Sequence, residues 1–276
     1  MNVLMPASPA HPEYTLYAYT GGKAFDPAKP TVVMVHGVLN DHSVWILQSR
    51  YLAHHGLNVL AIDLPGHGKS QGPAPASVQE ASAAVLQLLD ALGIEHATLV
   101  GHSWGSLIAL HTAACAPARV KGLAMVGTAY PMRVAPALLE ASVSAPDKAI
   151  DMVNTFSHST LAPPPSALGP GTWLYGGSKA LMRRVLRSNP HTNVFYQGFV
   201  ACDSYGQGEA DMQALQCPVL FVLGQHDQMT PPKAAQGLQK LAKQSTTVVL
   251  PAGHSLMTEA PDGVLDALKT LVLPRS

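Results

Sequence analysis

From Thr31 onward, short β-branched runs alternate with helix-forming stretches, and that rhythm restricts the fold more than any other feature of this 276-residue chain. TVVMVHG (31–37) is apolar and closes on glycine. NVLAI (58–62) runs into the Gly/Pro turn of DLPGHGKS, and ATLVG (97–101) and VKGLAMVGT (120–128) repeat the form. Runs this uniformly apolar read as strands buried on both faces, the condition of a parallel sheet. Between them, residues 43–55 read as a helix stopped by Gly56, and 78–92 carry apolar residues at helical spacing before Gly93. The stretch after Ser103 stays helical to about Ala116, ahead of Pro117. The order β, α, β, α, β, α, β predicts an α/β fold with a mostly parallel sheet and helices on both faces.

The rhythm breaks over 129–208, where helix-like pieces are separated by Pro131, Pro136, Pro146 and APPPSALGPG (162–171). It resumes at CPVLFVLGQHD (217–227), a helix near 232–242, TTVVLP and a last helix over about 261–271. Residues 1–128 and 209–276 therefore read as one core domain. Residues 129–208 read as an inserted, mainly helical cap whose ends rejoin the sheet. PPPSALGPG reads as a rigid loop of that cap.

Composition removes several classes of function. Seventeen basic and 17 acidic side chains give zero net charge, and no Lys/Arg-rich segment offers a field for nucleic acid. The 13 histidines are dispersed, with no H-x-x-x-H or H-E-x-x-H spacing, so neither a metal nor an organic cofactor is expected. Cys115, Cys202 and Cys217 form no C-x-x-C and read as reduced thiols in or near the core. The N-terminal residues lack the pattern of a secretory leader, and no apolar run has membrane-spanning length. The expectation is a cytoplasmic protein with a small-molecule substrate and no membrane partner; the oligomeric state is not encoded legibly.

LVGHSWGSLIALHTAA (99–114) sets Ser103 between Gly101 and Gly105, just after a strand and just before a helix. So tight a turn crowds the residues on either side of the serine, and glycine removes the Cβ atoms that would collide. The helix N-terminus behind Ser103 supplies unpaired N–H groups and partial positive charge, which suit an oxyanion. A serine hydroxyl needs a base, and the base an orienting acid. His254 follows the last strand in a loop opened by Pro251 and Gly253, at the sheet edge where ligand sites of open α/β sheets collect; a loop histidine bonded only to backbone is the plainer alternative. Asp227 lies just past the strand of VLFVLG, and it could equally cap a following helix, a role for which Thr230 competes. The preceding strand end, MVGTAYP, has no carboxylate, which favours Asp227; Glu259 and Asp203 are the next acids to weigh.

The chain order Ser103, Asp227, His254, with HGV, DLPGHGKS, GHSWG, GQHD and GHS in sequence after successive strands, resembles the α/β-hydrolase fold superfamily over nearly the whole chain. The resemblance implies a serine hydrolase with a Ser-Asp-His triad. It also implies an oxyanion hole made by the backbone N–H groups of Val38 and Trp104, and a His36 that supports the loop rather than moving protons. Asp63, Gly66, Gly68 and Ser70 read as turn-forming residues. Aspartate-nucleophile relatives such as haloalkane dehalogenases and epoxide hydrolases are disfavoured, because Ser103 holds that position.

The leading expectation is hydrolysis of small to medium, largely apolar carboxylic esters through an acyl-enzyme. A C–C bond hydrolase of aromatic degradation is the alternative, in which Arg183, Arg184 or Arg187 would bind a substrate carboxylate. A non-catalytic binding or receptor module on the same fold is the rival from another class. Met152, Phe156, Trp173, Tyr175, Phe195, Tyr196 and Phe199 read as cap core more readily than as pocket wall, and Trp45 as packing for the first helix.

Overall fold

The apolar runs become the interior strands of a single twisted sheet in the computed structural model, which describes residues 1–7, 12–159 and 173–273. The strands are β1 (Asn2–Met5), β2 (Tyr14–Tyr19), β3 (Thr31–Val35), β4 (Asn58–Ile62), β5 (Ala97–His102), β6 (Val120–Val126), β7 (Val219–Gly224) and β8 (Ser245–Leu250). They lie in the order β1-β2-β4-β3-β5-β6-β7-β8. β3 sits between β4 and β5, with Thr31 opposite Asn58 on one side and Ala97 on the other, and from β4 to β8 every pairing is parallel. Every residue of β3, β4 and β7 is buried, which is why those runs lack polar alternation.

The N-terminal hairpin is a strand pair that the rhythm did not predict. β1 and β2 are antiparallel, and β2 joins β4 antiparallel through Ala18 and Ile62. Val3, Met5, Tyr14, Leu16 and Ala18 face the core, while the residues between them face outward. That is the period-two signal of a sheet with one wet face.

The helices are α1 (Ile46–His54), α2 (Val78–Ala91), α3 (Trp104–Cys115), α4 (Pro136–Ser144), α5 (Pro146–Ser157), α6 (Leu174–Ser188), α7 (Val194–Ser204), α8 (Gly208–Ala214), α9 (Gln236–Leu241), α10 (Leu256–Glu259) and α11 (Pro261–Val272). The helix expected over 43–55 divides into a 3-10 turn, His42–Trp45, and α1; that expected over 232–242 divides into Pro232–Ala235 and α9. α2 starts on a side-chain cap: Ser77 Oγ accepts from Glu80 N, and the Glu80 carboxylate accepts from Ala76 N, one residue before the cap.

Three apolar clusters organise the helices. One joins a sheet face to α2, α3, α8 and α9 through Val78, Leu107, Met212 and Leu238. The second joins the opposite face to α1 and α11 through Leu52, Val264 and Leu268, with Trp45 inside it as expected. The third joins α4 to α7 through Leu138, Ile150, Met182 and Phe195, and reaches Leu39 and Ala74 of the loops below. The stretch between β6 and β7, which among its described residues forms no strand, thus has a small core of its own. APPPSALGPG (162–171) lies outside the described residues. The cysteine expectation needs one correction: Cys202 is buried and Cys217 half-buried, but Cys115 is exposed, because it closes α3 at the outer end of the helix.

Candidate active site

β5 ends at His102 and α3 begins at Trp104, so Ser103 alone makes the reversal from strand to helix. It does so at φ +54° and ψ −121°, a conformation that costs a non-glycine residue on the order of 1–3 kcal/mol and persists only where surroundings enforce it. Ser103 N donates to Val126 O at 2.9 Å, and Ser103 O accepts from Ser106 N at 2.8 Å. The two glycines permit this turn. A Cβ on Gly101 would overlap the Gly105 carbonyl, and one on Gly105 would overlap the carbonyls of Val35 and His36.

The loops leaving β7 and β8 are laced together: Gln225 N donates to Leu250 O at 2.8 Å and His226 N to Ala252 O at 2.9 Å. This lacing brings Asp227 against His254. His254 Nδ1 lies 2.8 Å from Asp227 Oδ2 and 3.0 Å from Thr230 Oγ1. Asp227 also accepts from Met229 N (2.8 Å), Thr230 N (2.7 Å) and Thr230 Oγ1 (2.7 Å). It therefore holds its own loop and the imidazole at once, and the choice between cap and partner dissolves. Burial pushes the Asp227 carboxyl up, but the adjacent His254 and the hydrogen bonds from His254 and Thr230 outweigh it and bring the pKa down to about 2. An ionised carboxylate only accepts, so the imidazole proton sits on Nδ1 and leaves Nε2 as a base.

Two positioning residues escaped the sequence reading. Thr230, weighed only as a cap, bonds both Asp227 and His254. His102 Nε2 donates to the backbone oxygen of His254 at 2.9 Å, and the two rings lie 4.7 Å apart. Burial, then the charge of His254, hold the His102 pKa down at about 3, so it stays a neutral strut. Its signal was its place in GHSWG, one residue before the serine.

The loop after β3 is braced as the resemblance implied. His36 Nδ1 donates to Gly37 O at 2.8 Å, and His36 Nε2 accepts from Leu64 N at 3.1 Å, which uses both ring nitrogens. Val38 follows in the same turn and lines the cavity beside Ser103. As the first residue of α3, Trp104 has an N–H with no acceptor inside the helix. Asp63 ties the DLPGHGKS turn by accepting from His42 N at 2.7 Å and Lys69 N at 2.8 Å. Gly66 and Gly68 take positive φ there, and Ser70 bonds Asp63 O at 2.6 Å. Asp41, His42 and Asp63 gather closely enough to suggest a cation site. Their oxygens are already engaged by Ser43, Arg184 and backbone amides.

Ser103 and His254 face two cavities that meet at Val38, Phe199 and Met229. One, of about 200 Å³, has Asn40, Ser43, Ser157, Ser255 and Thr258 in its wall. The other, of about 270 Å³, is walled by Met132, Val134, Leu138, Met152 and Phe156. The aromatic set therefore divides. Phe195 is fully buried in the helical cluster, whereas Met152, Phe156, Trp173 and Phe199 line cavities, more pocket wall than the sequence suggested. The arginines of α6 line neither cavity. Arg183 pairs with Asp147, Arg184 with Asp41, and Arg187 bonds Arg183 O. Glu259 and Asp203 are also committed elsewhere: Glu259 accepts from Gly253 N at 2.6 Å and Ser159 N at 2.8 Å, and Asp203 from Val134 N at 2.9 Å.

The model of the alpha/beta hydrolase fold family matches residues 30–261. The chain is 39% identical over 110 residues to the dihydrolipoyllysine-residue acetyltransferase component of an acetoin cleaving system from Pseudomonas putida, covering 40% of this chain and 28% of that protein. It is 36% identical over 99 residues to an epoxide hydrolase from Caballeronia sordidicola, covering 35% and 30%. The matched segments thus span under a third of either relative's length. An esterase structure from Exiguobacterium antarcticum superposes with a TM-score of 0.82 at 17% identity, covering 99% of this chain and 100% of that one.

Proposed function

The chain belongs to the alpha/beta hydrolase fold family, and on that premise we propose that it is a serine hydrolase cleaving carboxylic esters of small to medium, largely apolar substrates. Ser103 attacks the ester carbonyl while His254 Nε2 takes its proton. The N–H groups of Val38 and Trp104 hold the oxyanion, where one such donor is worth about 100- to 1000-fold in rate. Asp227 keeps the imidazole proton on Nδ1 and stabilises the imidazolium. His254 then protonates the departing alcohol and activates water against the acyl-enzyme. No step needs a metal or an organic cofactor.

The observation that carries this reading is the His254–Asp227 pair, 2.8 Å apart, whose imidazole shares a cavity wall with Ser103. Two lobes meeting at one nucleophile suit a substrate with two halves, an acyl group and an alcohol. Residues 129–208 act as the lid that walls both lobes. A C–C bond hydrolase that grips a carboxylate through the α6 arginines has less support, since none of those side chains lines a cavity and Arg183 and Arg184 already pair with Asp147 and Asp41. A pure binding module would not need a base held in one tautomer.

The test is turnover of a series of chromogenic aryl esters, together with labelling by an organophosphonate. The expected result is an adduct on the peptide containing GHSWG and no turnover in Ser103→Ala. Full turnover in that variant, or an adduct elsewhere, removes the proposal.

A further inference from the structure

α7 carries a glycine in its interior, where glycine is among the poorest helix formers. Gly198 is buried there, and its surroundings show what the glycine is for. A Cβ on Gly177 of α6 or Gly237 of α9 would meet nothing within 4 Å. On Gly198 it would lie 3.1 Å from both Cγ atoms of Val38 and 3.6 Å from Cε3 of the Trp104 ring. Carbon atoms in contact settle at about 3.5–4.0 Å, so Val38 leaves no room for a methyl group. Both methyls of this β-branched side chain face the helix, and its stiff χ1 offers little escape. Relief would fall on the Val38 backbone. Val38 and Trp104 are the two residues whose N–H groups hold the oxyanion in the mechanism above, and α7 touches both through one position.

A second observation concerns the residue after Val38. Leu39 takes φ +56°, a left-handed conformation that is costly for a side chain of this kind and persists only where surroundings enforce it. The Leu39 side chain is fully buried, in the same apolar cluster as Phe195 and Phe199 of α7. The helix that presses on Val38 therefore also seats the strained residue beside it. α7 is itself anchored on both sides of Gly198. Asn193 Nδ2 donates to Ser142 O and Gln197 Nε2 to Ala74 O, each at 2.9 Å. Beyond Gly198, Ala201 and Cys202 are buried in the sheet-side cluster that contains Trp104.

Building on the serine-hydrolase reading, we propose that Gly198 is a positioning residue for the oxyanion hole. Its missing side chain lets α7 lie close enough to fix Val38 and Leu39 opposite the helix end at Trp104. The cap then acts on catalysis as well as on substrate choice, because the hole is complete only while α7 is seated.

The experiment compares Gly198→Ala with the wild type on an activated ester whose turnover Ser103→Ala abolishes. Alanine is the better helix former, so the melting temperature should hold or rise. The kcat should nonetheless fall about tenfold, a part of the roughly 100- to 1000-fold that a lost donor costs, with KM within about twofold. Inhibition by a trifluoromethyl ketone, whose adduct with a serine carries an oxyanion, should weaken by a similar factor. Val38→Ala removes both Cγ atoms, and in that background Gly198→Ala should cost less than about twofold. An unchanged kcat in Gly198→Ala, a loss confined to KM, or an equal loss in both backgrounds overturns the inference and leaves the serine mechanism standing. Turnover that survives Ser103→Ala strikes the mechanism itself, and the inference with it.

Discussion

The two ends of α3 carry the same pair of side chains, a histidine whose Nδ1–H is held by a buried aspartate, and the environments set that pair in fields of opposite sign. At the N-terminus, His254 and Asp227 arrive on loops from β7 and β8, and the serine they face sits on the positive end of the helix dipole. At the C-terminus, His111 and Cys115 share the helix itself, Asp211 packs against them from α8, and the dipole is negative. An anion that develops at Ser103 is stabilised; an anion at Cys115 is opposed, first by burial and then by the Asp211 charge. A histidine–aspartate pair is therefore no signature of nucleophilic catalysis until the charge at the third position is known.

The largest expected effect separates the ends outright. Ser103→Ala should cut ester turnover by about 10⁴- to 10⁶-fold with the melting temperature nearly unchanged, whereas Cys115→Ser should leave turnover within about twofold. Equal losses in the two variants would erase the distinction.

Asp227→Asn comes next, at about 10⁴-fold in kcat, because the amide favours the wrong imidazole tautomer. Its cost should merge with that of His254→Ala in the double variant rather than multiply. Asp211→Asn, the matching change at the other end, should leave kcat and KM alone. Steady-state kinetics on one activated ester reads all four proteins.

A smaller effect concerns the cavity walls. Phe156→Ala, in the apolar lobe, should shift relative kcat/KM across an ester series by about tenfold, while Phe195→Ala, buried among α4–α7, should cost stability by about 3–5 kcal/mol. If Phe156→Ala left the ranking of esters unchanged, the apolar lobe would not receive substrate.

The smallest effect is a slope. His67 and His102 are buried with pKa values held at about 3, chiefly by burial. Above the unfolded histidine value, near 6.5, both states are neutral and the stability is fully present. As pH falls from there toward 3, the unfolded chain takes up protons that the folded chain refuses, so stability is lost. Replacing His67 with Gln should flatten the dependence of denaturation free energy on pH in that window by about one proton. An unchanged slope would mean that His67 is protonated in the folded state.

Legibility in the sequence tracked how local each constraint is. β3, β4 and β5 announced themselves because burial on both faces leaves a nearly continuous apolar run, and Gly101 and Gly105 because a turn this tight admits nothing larger. The hairpin β1–β2 carries only five inward residues in alternation, a weaker signal than a continuous run. The helix-like pieces of 129–208 could be read as helical but not as to what their faces meet, so Phe156 and Phe195 read alike although one borders a cavity and the other a packed helix. Arg184 bonds Asp41 across 143 positions of sequence and Asp211 bonds His111 across 100. Partners so distant leave no local pattern.

The Glu259 carboxylate grips Gly253 N, next to His254, with one oxygen and Ser159, at the end of the α5 segment, with the other. A lid-swapping experiment that grafts a foreign 129–208 cassette onto this scaffold would remove Ser159 from that grip and let the histidine loop drift. Such chimeras would turn over slowly on every substrate offered, a loss easily mistaken for poor specificity. Retaining Ser159 in the host portion, with the upstream junction placed after it, and keeping Gly198 in the graft would let the exchanged walls alone report on substrate choice.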